Sequence, residues 1–78
     1  MPPLIHFETR HGGPVRASVY DLACRLVRRL SDEILGAGVH DLSWDARDEA
    51  GRAVEAGMYL IRVSTADGIL AGRAVVVR

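Results

Sequence analysis

Lysine, asparagine and glutamine are missing from the sequence altogether, and cysteine occurs once, as Cys24. A single thiol excludes an internal disulfide and the paired-cysteine patterns of redox and zinc sites, and it leaves the compartment open. Ten arginines balance ten aspartates and glutamates, so no excess charge of either sign argues for a polyanion or a membrane surface as partner. The all-arginine usage and the missing amides resemble the coding bias of a GC-rich genome and carry no functional weight. Aromatic residues are scarce: with only Phe7, Tyr20, Trp44 and Tyr59, the aliphatic side chains must supply most of the buried area. No apolar run approaches the ~20 residues of a membrane span. The N-terminal MPPLIHFETR has neither the basic region nor the apolar stretch of a signal peptide, so an export signal would lie outside this chain. At 78 residues the chain is a single domain, of a size that hides only about 60% of its unfolded surface. A thin aliphatic core suits a sandwich better than a deep pocket.

What is present alternates. Leu4 to Thr9 sets Leu4, His6 and Glu8 on one side and Ile5, Phe7 and Thr9 on the other, a strand pattern that HGGP at 11–14 interrupts. Val15 to Tyr20 alternates again, with Val15, Ala17 and Val19 on one face, and a hairpin through Gly12 and Gly13 is the economical way to pair the two. From Asp21 to Leu35 the period changes: Leu22, Leu26, Val27, Leu30 and Ile34 form a stripe at helical spacing with Arg25, Arg28 and Arg29 opposite, while Arg25 to Leu30 also fits a short strand. Gly38 to Asp45 returns to strand period with His40, Leu42 and Trp44 on one face, Trp44 being the largest core candidate. Met58 to Thr65 puts Tyr59, Ile61 and Val63 on one side, and Ala66-Asp67-Gly68 turns the chain into Ile69 to Val77.

The segment WDARDEAGRAVEAG, residues 44–57, crowds Asp45, Asp48, Glu49 and Glu55 together as a calcium loop or an acid/base pair does. Against the calcium template, Asp45 takes position 1, but Arg47 stands at position 3 and both the glycine and the final acid are out of register. Acid/base catalysis needs two carboxylates facing one cleft with pKa values driven apart by burial, which an exposed connection does not provide. A solvated turn is the reading that remains. Ser43, Asp41 and His40 carry the letters of a hydrolase triad on adjacent strand positions, which point to opposite faces. His6, His11, His40 and Cys24 match no zinc spacing, and GAG at 36–38 lacks the rest of a dinucleotide loop. A basic helix bearing Arg25, Arg28 and Arg29 is the stronger rival, a phosphate-gripping surface, but a neutral chain without interleaved aromatics speaks against nucleic acid.

In order along the chain, VRASVYDLACRLVRRL, GAGVHDLSWDARDEAGRAVEAGMYLIRV and RAVVVR resemble the immunoglobulin-like domain of flagellar hook-capping proteins, the FlgD type, and the related type A C-terminal sorting domains of the type IX secretion system. The resemblance spans about Leu4 to Arg78 and rests on Tyr20-Asp21, the run from Gly38 through Trp44-Asp45, the Asp48 to Gly51 turn, and Gly57 with Tyr59. It implies an all-β antiparallel immunoglobulin-like sandwich without enzymatic activity or cofactor, and it makes residues 25–30 a strand after a turn, overriding the helical stripe. It also implies that the acidic segment is a connection whose short side chains bond the backbone. Two positions depart from the family pattern, Cys24 and Ala46, each standing where relatives carry a glycine that serves a positive φ.

The sequence therefore reads as a non-catalytic C-terminal module of a larger exported protein, acting outside the cell as a sorting or surface-attachment signal. RAVVVR resembles the terminal strand of type A sorting domains, and Met1-Pro2 reads as the start of an excised piece. Recognition by the secretion machinery would use strand addition at this end, with Arg73, Val75, Val77 and Arg78 as partner-binding residues. The alternative is an assembly domain of a hook-cap-like scaffold whose partners are neighbouring subunits. Neither reading involves a small-molecule substrate, a bound metal, nucleic acid or a membrane span, and the isolated domain is expected to be monomeric.

Overall fold

The computed structural model describes residues 4–77 and contains six strands and no helix among them: β1 (Leu4–Thr9), β2 (Gly13–Tyr20), β3 (Leu26–Leu35), β4 (Gly38–Ser43), β5 (Gly57–Thr65) and β6 (Gly68–Val76). They form two antiparallel sheets, one of four strands in the order β3-β2-β5-β6 and one of two, β1-β4. The all-β sandwich implied by the resemblance is the fold observed.

Between the sheets lie Phe7, Val15, Ala17, Val19, Trp44, Tyr59, Ile61, Val63, Ala74 and Val76, all buried. The alternation reads correctly in β2 and β5, where every second side chain from Val15 to Val19 and from Tyr59 to Val63 is inside. Strand period forces this result: a central strand with one solvated face buries alternate residues. Trp44 stands just past the end of β4 and is completely buried. Its ring meets that of Tyr59 edge-on, 5.2 Å between centroids, and its indole N–H donates to the Arg47 carbonyl at 2.9 Å. A large ring with one polar atom fits a thin core only where that atom finds a partner, and the loop supplies it.

Two expectations fail. β1 and β2 do not form a hairpin: β1 pairs with β4, from Leu4↔Ser43 to Thr9↔Gly38, and β2 pairs with β3 and β5. Both edges of β2 are occupied by other strands, so the glycines at 12 and 13 carry the chain from one sheet to the other instead of folding it back. The helical stripe from 21 to 35 is also overturned, and β3 extends beyond the short strand implied for residues 25–30. The Asp21 carboxylate accepts the N–H groups of Ala23 and Arg25, each at 2.9 Å, and builds a turn. Cys24 follows with φ at 64°, a conformation no right-handed helix contains. Leu22 and Ile34, which the stripe would bury, are among the most exposed apolar residues, whereas Val27, Leu30 and Leu35 pack against the core. β3 runs along the edge of the larger sheet with two irregularities in its register against β2, and these disrupt the simple alternation that marks a strand in sequence.

Candidate interaction site

The acidic segment resolves into a scaffolded turn. Asp45 accepts the N–H of Arg47, and Asp48 accepts those of Ala50 and Arg52 at 2.9 and 3.0 Å, the behaviour of aspartates that shape tight connections. A bridge between Arg47 and Ala53 closes the loop, and the Tyr59 hydroxyl donates to the Glu55 carbonyl at 2.6 Å. Ala46 sits in this loop at φ 59°. The Asp45 and Asp48 carboxylates therefore serve the backbone, and among the described residues no three His, Cys, Asp or Glu side chains gather as metal ligands.

The loop also covers something. Glu49 donates its N–H to the Val27 carbonyl and takes the Arg29 N–H on its carboxylate, while the Arg28 guanidinium reaches the Asp48 carbonyl at 3.2 Å and lies 3.7 Å from Asp45. Val27 and Arg29 belong to the outer edge strand of the larger sheet, so two of its outward main-chain groups are already occupied. Sequence reasoning missed this role; the only signal was a glutamate directly after the Asp48 of the turn, too common to read.

Several titratable side chains elsewhere stand in pairs. His6 contacts Asp41 across β1 and β4, and His11 contacts Asp67 at 2.8 Å, both on exposed surface. His40 sits at the core's rim, its ring tilted 5.4 Å from Phe7 and its Nε2 2.8 Å from the Gly36 carbonyl. Ser43, Asp41 and His40 do not converge, and Arg25, Arg28 and Arg29 are drawn into the Asp21 turn and the acidic loop instead of forming a helical basic face.

Two aspartates are held below the ordinary carboxylate range. For Asp21 the main cause is the Arg25 backbone N–H, with the Arg25 guanidinium adding to it. For Asp67 it is the Arg10 backbone N–H, with the His11 ring next. A carboxyl whose folded pKa lies below its unfolded value contributes its full stability above the unfolded pKa, and the contribution disappears as pH falls through the folded one. The melting temperature should therefore decline as the pH is taken below about 4, and Asp21→Asn with Asp67→Asn should flatten that decline. An acid limb identical in the double variant would remove both turns from the account.

The remaining feature is the opposite edge. β6 borders the larger sheet and, among the described residues, pairs only with β5. Along it runs an open groove, walled by β1 from Leu4 to Glu8 and by β6 from Leu70 to Ala74, with Ile61 and Val63 as its floor. Of the residues expected to bind a partner, Arg73 and Val75 lie on β6 and are exposed, Val77 lies just beyond it and is exposed, and Arg78 falls outside the described residues. Arg73, Val75 and Val77 alternate along one outward face, whereas the groove, with Leu70 at its margin, was not anticipated. Ile69-Leu70 beside Gly72, in a strand whose single charge is Arg73, was the legible signal for it.

No helix among the described residues is long and apolar enough to cross a membrane. Residues 9–68 match the family model of the FlgD Ig-like domain. No curated protein matches the chain.

Proposed function

Because the chain belongs to the FlgD Ig-like domain family, and is thus a domain related to that of the flagellar hook cap, we propose that it is a non-catalytic assembly module that docks neighbouring protein subunits through the β6 edge. One observation carries this reading: the outer edge of β3 is capped at Val27 and Arg29 by the acidic loop, while that of β6 meets no main-chain partner among the described residues and is flanked by a largely apolar groove. Natural sheets blunt exposed edges with charge, proline or bulges, and an edge left regular is a template for another strand. Arg73 is the single charged side chain on β6. Export to the cell exterior agrees with this role.

The family match speaks for the hook-cap relationship and carries nothing on type IX sorting, so the sorting reading preferred on sequence falls behind the assembly reading. The test places a photoreactive amino acid at Val75 and, as a control, at Leu22, both exposed, in the protein expressed in its own cell. Cross-links from position 75 but not 22 to neighbouring subunits are expected. Equal yields at both positions, or none at 75, overturn the proposal.

A further inference from the structure

The β6 edge has a register of its own. Thr65 and Gly68 close the two-residue turn as a pair, so Gly68, Leu70, Gly72, Ala74 and Val76 turn their amide and carbonyl groups toward β5. Those of Ile69, Ala71, Arg73 and Val75 point to the free edge, and among the described residues no hydrogen bond meets them. Side chains divide the same way: Ala74 and Val76 are buried, whereas Ile69 and Val75 are 58% and 59% exposed on the outer face.

We propose that this edge receives the β6 strand of a second copy of the chain, antiparallel and centred on Gly72, so that two four-stranded sheets become one of eight. It rests on the assembly reading and names the partner. Avoidance of like charges selects the register, Arg73 being the one charged side chain of the strand. Centring on Arg73 sets Arg73 against Arg73, and like charges directly opposite destabilise a pair. Centring on Ala71 places Arg73 against Ile69 and leaves Val75 at the frayed end.

Centring on Gly72 covers all of β6, sets Arg73 against Ala71, and matches Ile69 with Val75 and Leu70 with Ala74. Every outward main-chain group of Ile69, Ala71, Arg73 and Val75 then finds a partner, about eight hydrogen bonds across the two-fold axis. On the outer face Met58, directly across from Val75 in the sheet, extends the Ile69–Val75 contact into an apolar cluster. On the inner face Leu70, 45% exposed in the single chain, is covered together with the mouth of the groove. At Gly72 the axis brings two backbones together with no side chain between them, and a Cβ there would meet nothing within 4 Å in the single chain, so internal packing does not demand this glycine. The resulting dimer departs from the monomer expected on sequence.

Sedimentation equilibrium on the described chain under reducing conditions, which silence the exposed Cys24, tests the proposal. A reversible monomer–dimer equilibrium is expected. Ile69→Lys with Val75→Lys places like charges in both symmetric 69–75 contacts and should weaken association about tenfold or more. Ile69→Lys with Val75→Glu places opposite charges there and should restore it, which only this register does. Both positions are exposed in the single chain, and circular dichroism confirms that the variants fold. Independently of any variant, the amides of Ile69, Ala71, Arg73 and Val75 should gain hydrogen-exchange protection as concentration rises. A chain that stays monomeric at millimolar concentration, a dimer indifferent to the lysine pair, or edge amides whose exchange ignores concentration overturns it. Cross-linking from Val75 to a different protein, with the chain itself monomeric, would overturn this inference and leave the assembly reading standing.

Discussion

Trp44→Ala is expected to abolish the cooperative thermal transition. Truncating a fully buried tryptophan costs roughly 3 to 5 kcal/mol, and a single core of this size supplies about that in total. Three losses coincide at this position. The ring is wholly shielded from solvent, its edge-on contact with Tyr59 disappears, and the Arg47 carbonyl that accepted the indole N–H loses its partner. Because that carbonyl belongs to the loop whose Glu49 covers β3, the damage should spread from the core to the sheet edge. Arg47→Ala is the matched control: its exposed side chain makes one surface hydrogen bond, to Gly51 at 2.8 Å, so its effect should stay within about 0.5 kcal/mol. A Trp44→Ala variant that melts cooperatively within a few degrees of the parent would mean that the loop and Tyr59 do not lean on this ring.

Cys24→Gly should move stability in the other direction. Cys24 and Ala46 are the two described non-glycine residues with positive φ, at 64° and 59°, in the region where an L side chain costs about 1 to 2 kcal/mol. Glycine relieves that strain and gives part of it back as greater freedom in the unfolded chain, for a net gain of about 1 kcal/mol at Cys24. In a domain this small that corresponds to roughly 4 to 8 °C in melting temperature. Cys24 is exposed, so nothing is lost in packing. Ala46 packs partly against the core, and Ala46→Gly should gain less because its methyl group goes. Ala37→Gly, at a position without positive φ, should be mildly destabilising. Gains at 37 equal to those at 24 would show that flexibility rather than backbone strain is at work.

These two residues also mark how far the sequence could be read. The departure of Cys24 and Ala46 from the glycines of relatives pointed to left-handed backbone, and the structure holds both there. Burial in β2 and β5 and the core position of Trp44 were legible because each strand has one wet face and one dry one, and period 2 records that directly. Pairing was less legible. Alternation says which face is inside but not which strand lies alongside, so Gly12 and Gly13 read as a hairpin turn when they are a passage between sheets. The β3 segment misled for a different reason: an edge strand with irregular register need not alternate, and its apolar residues fell by chance at helical spacing. The site was half visible. Arg73 and Val75 were placed on the last strand from sequence, but the covering of the opposite edge by Glu49 depends on a contact twenty residues apart, which no local pattern encodes.

The pairing of β1 with β4 has a kinetic side. The β5–β6 hairpin closes through two residues, and β2 meets β3 across a short turn, so both can form within microseconds. β1 must instead find a strand whose nearest paired residue, Gly38 against Thr9, lies 29 positions away, and a lone pair of strands is hardly stable until it rests on another layer. The smaller sheet should thus be the last part of the molecule to assemble and the first to come away. Refolding should be slow for the size of the chain, in the range of milliseconds to seconds, and Trp44 fluorescence, which reports closure of the two layers, should lag behind the far-ultraviolet signal of the hairpins. During that interval the groove beside β6 lacks its β1 wall, and the newborn chain is at its most adhesive.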